Sequence, residues 1–317
     1  MRNPLPRLPL LLLALAASPV FACGACGCTL NSDWSAQGYA SGAGFRLDLR
    51  FDYFDQDQLR TGLGRVDLSK LTFPGSQEVQ RQTINRNTTL TLDWSPNANW
   101  GLTLMAPAFV RTHETIAEGD TAESGSRSAG LGDLRLLGRY QGFSDDHSSG
   151  IQFGVKLPTG RTGDTFSSGP QAGELVDRGL QLGTGSTDLI FGVYKFGEMT
   201  MDWGYFAQAS AQVAVSHSSG YRPGNGLNVN AGVRYAGWRS VTPALQINVR
   251  AEKPETGSEA DTANSGATLA YLSPGVTVHL GNQFHIYAFV QVPIYQHVTG
   301  LQIEPRFLAS VGVHYTF

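Results

Sequence analysis

Phe45-Arg46-Leu47-Asp48-Leu49-Arg50-Phe51-Asp52-Tyr53 alternates apolar and charged side chains without a break. Successive side chains of a β-strand point to opposite faces, so this stretch puts every apolar group on one face and every charge on the other. Segments of the same character recur to the end of the chain. They predict strands at about 45–53, 83–94, 100–111, 131–140, 151–158, 187–196, 202–216, 227–235, 243–252, 267–280, 284–295 and 305–317.

The connections between these strands alternate long and short, at about 29, 5, 19, 10, 28, 5, 10, 7, 14, 3 and 9 residues. A globular sandwich has no reason to sort its loops this way, whereas a transmembrane barrel has long extracellular loops and short periplasmic turns. Trp94, Trp100, Trp203 and Trp238 lie in or beside short turns, where amphipathic rings would gather at a membrane interface; only Trp34 lies elsewhere. The final strand alternates up to Phe317, similar to the terminal signal by which barrel-assembly machinery recognises its clients. The expected fold is all-β: a transmembrane antiparallel up-and-down β-barrel of about 12 strands over 45–317, in the outer membrane of a Gram-negative bacterium, with lipid as a partner.

Composition agrees. Of 317 residues only 15% are charged, 41% are hydrophobic, 10% are aromatic and 38 are Gly, a balance unlike that of a cytosolic enzyme. The aromatic content gives too much to bury for a disordered chain. A formal net charge of −3 provides no basic excess for nucleic acid. Residues 1–22 read as a secretory signal peptide, with Arg2 and Arg7 ahead of an apolar stretch and Val20-Phe21-Ala22 at the cleavage site. Beyond it no window approaches the roughly 20 apolar residues of a membrane helix. Residues 23–44 then form a Cys-containing leader that either plugs the lumen or hangs in the periplasm.

The stretches GLGDLRLLGRY (130–140), GVKLPTGRTGD (154–164) and LGTGSTDLIFGVY (182–194) resemble the outer-membrane barrel family named for the meta-pathway phenol-degradation (MetA-type) protein, usually described as transporters. The resemblance covers most of 45–317. It implies a porin-like channel for a small aromatic or apolar solute, and it supplies no catalytic residues.

Alternation also maps the lumen. Inward ionisable positions are seven basic, including Arg46, Arg50, Arg135 and Arg139, and six acidic, near-equal numbers that argue against strong selection by ion sign. They either line a wet pore or pair across strands to brace the wall. Leu269, Tyr271, Tyr287, Phe289 and Tyr295 keep the inward phase, giving an aromatic track that binds solute or fills a narrow waist. Pro274 falls in mid-strand, where proline deletes a ladder donor and could open the wall laterally.

Cys23, Cys26 and Cys28 in CGACGC have spacings that can converge on one soft ion such as copper or zinc. A plain disulfide, a disordered leader and lipidation of Cys23 compete with that reading, and Gly27 in place of His excludes haem attachment. His279 and His285 flank a three-residue turn and His314 points inward near the same end, so imidazoles could complete a metal site or stand as ordinary lumenal side chains.

The function expected from all this is a channel or transporter for a small solute. Alternatives are a metal-handling barrel using CGACGC, a barrel hydrolase, and a structural barrel. An enzyme is disfavoured, since GxSxG, HExxH and GxxxxGK[ST] are all missing.

Overall fold

The computed structural model describes residues 34, 36–38 and 42–317; the expected signal peptide (1–22) and the three cysteines lie outside the described residues. Thirteen β-elements follow one another: β1 Gly44–Gly62, β2 Gly64–Arg65, β3 Val79–Ser95, β4 Trp100–Ile116, β5 Ser124–Leu131, β6 Arg135–Tyr140, β7 Ser149–Lys156, β8 Asp188–Glu198, β9 Trp203–Ala214, β10 Gly226–Tyr235, β11 Val241–Glu252, β12 Ala267–Leu280 and β13 Phe284–Thr316. Each pairs antiparallel with its neighbour, and β13 pairs with β1 to close the sheet. Eleven elements make the ring, while β2 and β5 lean on β1 and β4.

The last element is a hairpin. Fully extended, its 33 residues would stretch over about 110 Å, yet the N–H of Thr316 donates to the carbonyl of Gln283 at 2.9 Å. Gly300 at the fold-back has φ 69°, a conformation Gly adopts freely. The wall thus has twelve staves. Sequence alternation predicted a nine-residue connection over 296–304, but pairing with β12 runs to Val298 and pairing with β1 resumes at Leu301. Polar residues such as Gln296 and Gln302 continue the inward face there, which is why this stretch reads as loop in sequence.

One stave is broken. β5 pairs with the far half of β4 and β6 with its near half, interrupted at 132–134. Beyond that level β7 stops at Lys156, and residues 157–187 turn into the barrel.

Alternation sets the two faces. Leu49, Leu92, Leu104, Phe191, Val229 and Ile247 are exposed on the outside, while Asp52, Asn87, Gln152, Asn230, Gln246 and Asn248 are buried inside. Apolar side chains can face outward in this continuous band only if lipid covers them. At the short-turn end the outer rings pair up, Phe45 with Trp94, Trp100 with Tyr140, and Trp203 with Tyr235. Phe317 is exposed at the same rim.

Candidate functional site

β1, β3 and β4 present the lumen's best-ordered polar wall. Their register sets Arg46 beside Asp93 and Asp52 beside Asn87, and on the next ladder Asn85 opposite Arg111. Near the turn end, Asp93 is held by Arg46 Nη1 at 2.6 Å and by Arg139 Nη1 at 3.0 Å. Ser95 accepts from both arginines. Arg46 and Arg139 are therefore brought together as a brace across four staves, β6 to β1, with little capacity left to meet a solute.

Above this brace lies a cavity of about 190 Å³. Arg50, Arg111, Arg135, Lys156 and Arg250 line it, with Asp52, Asp133 and Glu252 as the acidic members. Arg50 pairs with Asp52 at 2.9 Å, and Arg250 pairs with Glu252. One side is apolar: Met105, Pro107 and Phe109 face Leu182 of the inward-folded loop. Of the four arginines singled out from sequence, Arg50 and Arg135 reach this chamber. Arg111 and the apolar trio were missed because Leu102 to Val110 is almost entirely apolar on both faces, so no alternation sets its phase. Only the register against β3 fixes it.

The loop over 157–187 roofs the chamber. Its attachment is a buried knot built from the three stretches that carry the family resemblance. Asp133 accepts from the Gly160 N–H at 3.0 Å and from the N–H and hydroxyl of Thr184 at 2.9 and 2.7 Å. Lys156 Nζ stands 2.8 Å from Asp188 and 3.4 Å from Asp133. Gly160 and Gly183 let the two loop limbs touch: a Cβ on Gly183 would lie 2.2 Å from the Gly160 carbonyl. Arg111 Nη1 donates to the Leu180 carbonyl from β4, two staves away from β7. Farther out on the same loop, the Asp177 carboxyl lies against that of Glu78. Burial first, and then the neighbouring Glu78 charge, push the Asp177 carboxyl up to about 8, and burial also raises Glu78.

Described residues ahead of the first strand lie within the other end. Trp34 is 9% exposed and packs on Tyr287, Phe289 and Ala244. Ala36 and Gln37 are buried too, and Arg234 donates to the Gln37 carbonyl. The predicted aromatic track is thus split. Tyr287 and Phe289 cradle Trp34, whereas Tyr271 joins Phe54, Leu269 and Leu308 in a separate cluster. Tyr295 departs from the sequence expectation: it is 45% exposed on the outside. A bulge shifts the β12–β13 register between Ala270 and Tyr271, and one extra residue reverses the phase from that point.

His279 and His285 meet, their Nδ1 atoms 2.9 Å apart, and the His314 ring lies 6.1 Å from His285. Trp34 stacks on both His285 and His314. Among the described residues, no group of three or more His, Cys, Asp or Glu side chains stands in metal-holding geometry. The trio also meets Thr242, 2.8 Å from His279 Nε2, and Asp48, 3.6 Å from His314 Nδ1; the indole could not be revealed by alternation because residue 34 precedes the first strand.

A closed antiparallel wall, apolar outside and polar within, girdled by aromatic rings and enclosing a roofed chamber, defines a β-barrel of the outer-membrane kind. One known structure shares the fold well. The chain is similar to the COG4313 outer membrane channel from Pseudomonas putida F1, with a TM-score of 0.62 at 12% identity, over 91% of this chain and 99% of that one. It is also similar to the translocator domain of the autotransporter NalP from Neisseria meningitidis (TM-score 0.47, 10% identity, 87% of this chain and 89% of that one). A third is the Ralstonia pickettii toluene transporter TbuX (TM-score 0.43, 10% identity, 91% and 98%). Identities this low speak to fold alone. No protein-family description and no curated protein matches the sequence.

Proposed function

We propose that this chain is an outer-membrane channel that passes a small solute carrying an aromatic or apolar group. The observation that supports this most is the chamber. It is enclosed by twelve staves, stoppered at one end by Trp34 and roofed at the other by 157–187, and its apolar strip adjoins charged side chains, Met105 standing in register beside Arg135. A barrel serving only as scaffold would fill this volume with side chains, as small barrels do. A chamber narrowed at both ends in this way suits a conduit with a resting closed state.

The test is conductance in planar bilayers. The intact barrel should conduct weakly, and a variant lacking 23–42 should conduct more; silence in both would remove the channel reading. A metal-handling barrel remains a second reading, drawing on Cys23, Cys26 and Cys28 and on the His279–His285 contact. Metal analysis of wild type against the triple Cys→Ser variant separates the two, since equal, substoichiometric copper and zinc in both would dismiss the metal.

A further inference from the structure

Summed over all inward positions the lumen is near neutral, and the chamber is nearly so; what sets the chamber apart is where its cations stand. Five cationic side chains line it against three carboxylates, and counting Asp188, which pairs with Lys156, leaves the balance at five to four. Three of the cations, Arg50, Arg135 and Arg250, come from different staves and face one volume. Guanidinium is the side chain best matched to a carboxylate, because its fork donates two parallel hydrogen bonds and it keeps its charge when partly desolvated.

The remaining wall is apolar. Met105, Pro107 and Phe109 lie in line on β4, and the Arg111 guanidinium carbon sits 5.9 Å from the centroid of Phe109, so an aromatic face and a cation already adjoin. At about 190 Å³ the space is below the roughly 300 Å³ at which clefts for drug-sized ligands begin. It suits one ring with a small substituent. A neutral hydrocarbon would satisfy Met105, Pro107 and Phe109 but would cover the arginines without repaying their lost hydration. An inorganic anion would satisfy the arginines and leave the apolar wall wet.

We propose that the chamber is a binding site for a single-ring aromatic carboxylate, with the ring on the Met105–Phe109 wall and the carboxylate toward Arg135 and Arg250. This rests on the channel reading for its purpose, though not for its chemistry. The rim supports it: Asp52 and Glu252 hold Arg50 and Arg250 in place by ion pairs, presenting their charge without letting it collapse onto the apolar wall.

The probes are sodium benzoate and benzamide, nearly isosteric and differing by one charge. Each is titrated calorimetrically into the full chain in lipid nanodiscs. Benzoate should bind about tenfold more tightly than benzamide, a preference that shrinks as salt is added. Arg135→Gln should weaken benzoate about tenfold and leave benzamide alone, whereas Glu252→Gln, which raises the local positive balance, should tighten benzoate. The opposite sign of these two changes guards against a folding defect in either. Equal affinities for the two compounds, or no benzoate binding by a barrel that conducts, would overturn the carboxylate proposal and leave the channel standing. Benzoate binding with the expected variant pattern by a barrel silent in bilayers would uphold the site and remove the channel.

Discussion

Trp34 lies face to face with His314, their ring centroids 4.2 Å apart and their planes 14° from parallel. The same indole reaches His285 at 5.4 Å and meets Tyr287 edge-on at 5.7 Å. Trp34 is thus a principal anchor of this segment, beside the buried Ala36 and Gln37 and the Arg234 bond to the Gln37 carbonyl. Each such aromatic contact is worth about 0.5–1.5 kcal/mol, so Trp34→Ala should raise the undocked population about tenfold or more. Single-channel recording checks this: the variant should spend more time in an open level. Dwell times matching wild type would mean that the leader does not gate.

The knot at Lys156 carries a different expectation. Lys156 is 3% exposed and holds Asp133 and Asp188 apart. In Lys156→Met two carboxylates remain buried without their cation, a change that costs about 3–5 kcal/mol. The barrel should unfold at a lower temperature, read as an earlier loss of its compact, heat-modifiable gel band. A Lys156→Arg variant keeps the charge and should recover much of the loss. If both substitutions leave the midpoint unchanged, the knot does not hold the roof.

These two sites show what was legible beforehand. Strand period, turn sorting and girdle tryptophans are local properties, written in every segment, so the wall could be read almost stave by stave. The stretches containing Asp133, Lys156 and Thr184 stood out as a family resemblance, but what they build is a contact among three distant segments that spacing cannot disclose. Tyr295 was placed on the wrong face because one bulged residue inverts an otherwise perfect alternation. The chamber's apolar wall was hidden for the opposite reason: Met105, Pro107 and Phe109 sit in a run with no polar partner to mark inside from outside.

Pro274 belongs with the legible features, and its consequence is now located. β12 pairs continuously with β11 through Leu245↔Pro274, but against β13 the ladder passes from Leu272↔Val292 to Gly275↔Phe289, skipping Ser273 and Pro274. The next residue has no slack either, since a Cβ on Gly275 would lie 2.0 Å from the Phe289 ring. Pro274→Val restores a donor facing this seam and should stabilise the barrel by about 0.5–1.5 kcal/mol. If solute leaves sideways through the seam, the same variant should slow uptake of an apolar compound in whole cells. Unchanged uptake together with raised stability would confine Pro274 to a structural role.

The outer latch answers to pH. Asp177 on the roof and Glu78 at the foot of β3 form a carboxyl pair. Asp261 lies near both, His113 Nε2 is 3.9 Å from Glu78 Oε1, and the Thr115 hydroxyl donates to Glu78. Two carboxyl groups can hydrogen-bond each other only while one keeps its proton, and the titration belongs to the pair. With Asp177 raised from 3.8 to about 8 in the folded protein, the folded state holds a proton that the unfolded chain releases above about pH 4. Stability from this contact is therefore full in acid, declines as pH rises from about 4 to about 8, and is gone beyond. Limited proteolysis should cut the 157–187 loop faster at pH 9 than at pH 6. Asp177→Asn donates to Glu78 at every pH and should flatten that dependence, whereas parallel pH curves for variant and wild type would show that the roof is held by Asp133 and Arg111 alone.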